Sequence, residues 1–143
     1  KCRLCGGKKC LRCSEQCALR CKGPAVTGLH STWITDSIMA TQRPSTRLFE
    51  EYNIVQQFTD FGITGVFNLT EAGEHPHCGD GLEKYSGFPY LPEDLMKEKI
   101  AFYNFSWEDM TVPTLIMLTN IVRVACSCLI KGGKVRVLSL MSM

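Results

Sequence analysis

At 143 residues, with 45% hydrophobic and 21% charged side chains, the chain suits one globular domain with at most a short appended module; these proportions argue against disorder. The net charge of +2 conceals an asymmetry: residues 1–22 carry seven Lys or Arg against Glu15, a balance of +6, while the rest carries nine basic and thirteen acidic side chains, a balance of −4. The most apolar run, residues 112–130, contains Asn120 and Arg123, so it reads as a buried helix rather than a membrane span.

In chain order, a cysteine-dense basic leader comes first. Six of the nine cysteines fall in it (Cys2, Cys5, Cys10, Cys13, Cys17 and Cys21), leaving Cys78, Cys126 and Cys128 for the body. A secreted disulfide scaffold spreads its cysteines through the fold it staples, so this distribution favours a reducing, intracellular and cytoplasmic setting. The polar, basic start shows no signal peptide. Cys2-x2-Cys5 and Cys10-x2-Cys13 are two pairs of the kind that grip tetrahedral zinc, which makes those four thiols candidate metal ligands; the alternative is a reduced, flexible leader. The positive charge suits acidic partners, but no aromatic residue stands in 1–22 to stack a base, so nucleic acid is not expected.

Gly23-Pro24 breaks the chain and starts the body, 23–143. Alternating and β-branched residues predict a strand at 29–35. Arg43-Pro44-Ser45 is a turn with Ser45 as N-cap, and Leu48, Tyr52, Val55 and Phe58 predict a helix over 47–61, stopped by Gly62. Residues 63–69 form a short apolar strand; helix, glycine, strand is the order of a parallel βαβ unit. The Gly-, Pro- and Glu-rich segment 70–92 is a long loop of the kind that carries function or moves. Within it His75, His77 and Cys78 have ligand chemistry, yet Pro76 and the glycines favour a turn-rich surface loop. A short helix at 93–99, a strand at 100–105, and a loop at 106–112 follow. Pro113 then opens an apolar helix over 114–130, with Cys126 and Cys128 expected as buried, inert thiols. A last strand begins at Lys134. The expected architecture is α/β: a mostly parallel sheet of about four strands with helices on its faces.

This order of elements, together with Cys5-Gly6-Gly7, Ser31-Thr32-Trp33-Ile34-Thr35-Asp36, Arg43-Pro44-Ser45, Gly73-Glu74-His75, Cys78-Gly79, Ser86-Gly87-Phe88, Tyr90-Leu91-Pro92-Glu93 and Phe102-Tyr103-Asn104-Phe105, resembles the first half of a tyrosine or dual-specificity phosphatase domain. The similarity is to the atypical group of protein tyrosine phosphatase domain-containing proteins and runs over nearly all of residues 1–135. The resemblance implies phosphoester hydrolysis, on phosphoproteins or other phosphoesters, by a thiolate in a His-Cys-x5-Arg loop. It also implies a loop aspartate that protonates the leaving oxygen, with no cofactor for catalysis. Trp107-Glu108-Asp109 with Pro113 stands where such families keep that acid. Asp109 is therefore the candidate general acid, with Glu108 as the competing carboxylate and a solvated loop residue as the bland alternative.

The resemblance stops where the nucleophile is due. Behind Lys134 the residues are Val135-Arg136-Val137-Leu138-Ser139-Leu140-Met141-Ser142-Met143, with no Cys, His or Gly among them. The chain is therefore expected to be a truncated, inactive relative. Its uncovered sheet face would make it marginal in stability unless a protein partner covered it, and the rival roles are a regulatory binding module or a small zinc protein.

Overall fold

The structure, a computed structural model, describes residues 23–77, 79–109, 111–130, 132 and 134–138. The leader with Cys2, Cys5, Cys10 and Cys13, and also Cys78, lie outside the described residues.

The expected strand at 29–35 is shorter, β1 at Ser31–Trp33, and a second strand that alternation alone did not reveal, β2 at Ile38–Thr41, pairs with it antiparallel. A Thr35 turn closes the hairpin: its Oγ1 accepts from the amides of Ser37 and Ile38 at 3.2 and 3.0 Å, a local side-chain bond that replaces the ladder there. Ser45 caps the next helix as expected, its Oγ accepting from Leu48 N at 3.3 Å. The helix predicted over 47–61 is two: α1, Thr46–Glu51, and α2, Ile54–Asp60. Asn53, with φ of 48°, adopts the left-handed conformation between them, which Asn tolerates better than most residues. The break lets Leu48 and Phe49 of α1 and Ile54 and Phe58 of α2 all point into the core.

β3, Ile63–Asn68, follows Gly62, and α3, Pro92–Lys97, opens on Pro92 with Glu93 and Asp94 in its first turn and Lys97 in its last. That charge order opposes the helix dipole and stabilises a short helix. β4 is Ala101–Asn104, α4 is Leu115–Ile130, and β5 is Lys134–Leu138.

The sheet has five strands in the order β1-β2-β5-β3-β4; all pairings are parallel except β1 with β2. β5 enters the centre, where Leu138 is level with Thr41 on one side and Asn68 on the other. One continuous core joins Val26, Leu29, Met39, Phe58, Val66, Tyr90, Leu95 and Ile100 with α1, α2 and α3. Phe67 is equally buried but stacks apart from that cluster, 4.9 Å from the Tyr103 ring and 6.0 Å from Phe105.

α4 corrects one expectation. Its apolar composition predicts a buried helix, but none of its residues is buried, and Cys126 is exposed while Cys128 is half-buried. Met117, Ile121, Val124, Ala125, Cys128 and Leu129 form a half-buried stripe at helical spacing. Leu115 and Ile116 are 79% and 76% exposed on the outer side. Apolar composition alone could not tell a helix covered on two sides from one covered on one. Among the described residues no helix is long and apolar enough to cross a membrane.

Candidate functional site

In an open parallel sheet the carboxyl ends of the strands leave a crevice in which loops converge, and ligands bind there. Here β2, β3 and β4 end at Thr41, Asn68 and Asn104, which β3 brings level through its pairing with β4 and with β5. Asn68, almost fully buried, organises this edge. Its Nδ2 donates to Thr70 O and to Asn104 Oδ1, both at 2.8 Å, while its Oδ1 accepts from Thr70 Oγ1 at 2.9 Å. Phe105 N donates to Asn68 O at 2.9 Å and Trp107 N to Leu69 O at 3.4 Å, carrying the pairing of β3 and β4 into the loops beyond.

Three loops then meet. Arg43, two positions beyond β2 and 6% exposed, donates from Nη1 to Glu74 O at 3.2 Å and from Nη2 to His75 O at 3.3 Å. These bonds hold His75 in a left-handed backbone conformation, φ 53°. From there its Nε2 lies 3.2 Å from Asp109 Oδ2, on the loop after β4, and 3.7 Å from Glu74 Oε1. The side chains of Glu74, His75 and Asp109 are 14%, 14% and 25% exposed. Burial pushes the Glu74 carboxyl above its ordinary value, and the Asp109 charge adds to this; bonding from the Glu71 and Asp109 backbones and the nearby His75 oppose the shift. One ligand atom from each of the three lies within 4.8 Å of the others, so they are the described residues able to converge on a cation.

Of the two carboxylates read as rivals in the sequence, Glu108 is exposed and Asp109 turns inward to His75. A carboxyl here can pass a proton to an atom at the carboxyl edge, and a neighbouring imidazole fixes its direction. The glycines and Pro76 predict a surface loop for His75; the structure places it half-buried against Asp109, while His77 is exposed. The signal that could have found it was a histidine between glycines in a long loop following a strand. In the sequence Arg43 belongs to a turn and to the run Arg43-Pro44-Ser45 that carries the resemblance, and nothing in its spacing points to carbonyls more than thirty positions away. A second polar cluster, Ser45, Arg47 and Asp80, lines a separate cleft that shares no residue with this one.

Solved structures share the fold: the Tk-PTP crystal structure in its active form has a TM-score of 0.57 at 18% identity, over 76% of this chain and 60% of that one. PTPMT1 in complex with PI(5)P has 0.56 at 19%, over 76% and 62%. No protein-family profile matches the chain. In sequence it is 44% identical over 133 residues to protein tyrosine phosphatase domain-containing protein 1 of Bos taurus. To the proteins of that name from Mus musculus and Danio rerio it is 44% and 43% identical, over 138 and 133 residues. These matches take in 90–93% of the chain but only 16–18% of those proteins' length. The sequence relatives are thus protein tyrosine phosphatase domain-containing proteins, of which the chain matches one short part, and its fold fits a partial domain of that kind.

Proposed function

We propose that the chain is the acid-loop portion of a cysteine-dependent phosphatase domain, with Asp109 as the proton donor. The observation that supports this most is the inward placement of Asp109 on the loop after β4, at the edge where loops from β2 and β3 also arrive. In the complete reaction a thiolate attacks phosphorus, the bond to the leaving oxygen breaks, and the Asp109 proton goes to that oxygen. His75 holds the carboxyl toward the crevice. The substrate is a phosphoester, borne by a protein or a lipid, and an intracellular, reducing setting keeps the thiols free. A likeness at 44% identity to phosphatase-domain proteins supports the reaction class.

The same proposal holds that the 143-residue polypeptide alone does not turn over phosphoesters, because residues 135–143 contain no Cys, His or Gly from which a His-Cys-x5-Arg loop could be built. A positioned acid contributes about 10²–10⁴-fold and has nothing to act on without a nucleophile. Purified chain is expected to release no product from p-nitrophenyl phosphate or a phosphotyrosine peptide above background. Turnover that Asp109→Asn abolishes would overturn the inactivity. When a His-Cys-x5-Arg loop and its following helices are grafted behind β5, Asp109→Asn should cost kcat about 10²–10⁴-fold. An unchanged kcat would remove Asp109 from the role.

The bare outer side of α4 favours a second role, a regulatory module whose protein partner covers Leu115, Ile116 and Val122. Such a partner would slow amide exchange in α4 and leave α2 unchanged. Zinc on Cys2, Cys5, Cys10 and Cys13 remains our proposal for the leader, and metal analysis of the purified chain tests it.

A further inference from the structure

We propose that Glu74, His75 and Asp109 form a binding site for a zinc-class divalent cation, distinct from the leader thiols. The geometry is that of a three-ligand half-shell. Zinc bonds of about 2.0–2.1 Å at tetrahedral angles put neighbouring ligand atoms about 3.3–3.4 Å apart. His75 Nε2 stands 3.2 Å from Asp109 Oδ2 and 3.7 Å from Glu74 Oε1, bracketing that edge length, and the three ligand atoms all lie within 4.8 Å of one another. One ring nitrogen can donate one proton and so serve one carboxylate. A dication bound to its lone pair serves both.

The setting is prepared in two ways. Arg43 locks the backbone by its bonds to the carbonyls of Glu74 and His75, so two ligands share a clamped dipeptide. The third arrives on another loop and, at 25% exposed, leaves an approach for a fourth ligand from solvent or substrate. One imidazole with two carboxylates suits zinc better than calcium, which takes six to eight oxygens, or magnesium, which keeps its waters. The site stands on these residues whether or not the phosphatase reading is right. If it is right, bound metal keeps Asp109 ionised and withdraws the proton the reaction needs, making the cluster an inhibitory site.

The test is calorimetric titration of zinc chloride into the full 143-residue chain carrying serine at Cys2, Cys5, Cys10, Cys13, Cys17 and Cys21. The expected result is one site per chain, weakened about tenfold or more by His75→Ala and by Asp109→Asn, and changed less than about twofold by His77→Ala or Cys78→Ser. Asp109→Asn keeps the side-chain shape, so it decides the matter if His75→Ala fails to fold, which circular dichroism reports. No saturable heat, binding indifferent to Asp109→Asn, or binding lost in Cys78→Ser would each overturn the site. Turnover by the grafted domain in EDTA tests the acid role separately, so the two ideas fail independently.

Discussion

On one face of the sheet, α1, α2 and α3 seal Phe58, Ile54, Val66 and Leu95 completely from solvent. On the other, Phe67, Tyr103 and Phe105 have α4, tied down where Cys128 Sγ donates to Tyr103 Oη at 3.5 Å, and that helix turns Leu115, Ile116 and Val122 outward. A parallel sheet needs cover on both faces, because its strands are apolar on both sides. The first face meets that need with three helices that also have one another; the second meets it with one helix covered on one side. The difference teaches that, among the described residues, α4 is covered on one side only, and its exposed apolar side is where the proposed partner would bind.

Four measurements can break or sharpen that contrast. The largest effect should come from Phe58→Ala, which empties the centre of the sealed face and is expected to cost about 3–5 kcal/mol in denaturant unfolding. Next is Gly28→Ala. A Cβ there would stand 2.3 Å from Tyr52 Cγ, at φ of 87°, so a loss of about 1–3 kcal/mol is expected from overpacking. Ser45→Ala removes the cap of α1 and should cost about 0.5–2 kcal/mol. Val122→Ser, on the outer side of α4 at 59% exposed, should change stability by no more than about 0.5 kcal/mol and reduce self-association in light scattering. A loss of Phe58 size at Val122 would show that α4 is covered within the chain after all.

The Glu74 carboxyl gives the smallest effect, read through pH in EDTA. Its folded value lies above the ordinary one of 4.5, so the native state binds the proton more tightly than the unfolded chain does. That contribution is full below about the ordinary value and is lost as pH rises through the raised one. Glu74→Gln should therefore flatten the fall in stability across this window and leave the acid side unchanged. A fall equally steep in the variant would place its cause elsewhere.

Much of the fold was legible because local chemistry and tertiary fold agree in it. Ser45 caps whatever helix follows, Gly62 stops one, and the β-branched run at Ile63 makes a strand in either context. What failed to show were features whose cause lies far along the chain. The break at Asn53 is not announced by helical spacing, since Tyr52 and Val55 keep the period across it; packing of both short helices on one core decided it. β2 has only four residues and exists because β5, almost a hundred positions later, lies beside it.

The site divides the same way. Asp109 could be singled out from Trp107-Glu108-Asp109 and its place before a proline-led helix. That His75, thirty-four positions earlier, rather than His77 is its partner could not be read there. By itself the sequence determined the element types, the family likeness and the carboxylate candidates, because these depend on period, capping and side-chain chemistry within a few residues. Only the tertiary structure decided which carboxylate faces inward, which histidine meets it and which side of α4 is covered, because contacts between loops from different strands depend on the sheet that brings their ends level.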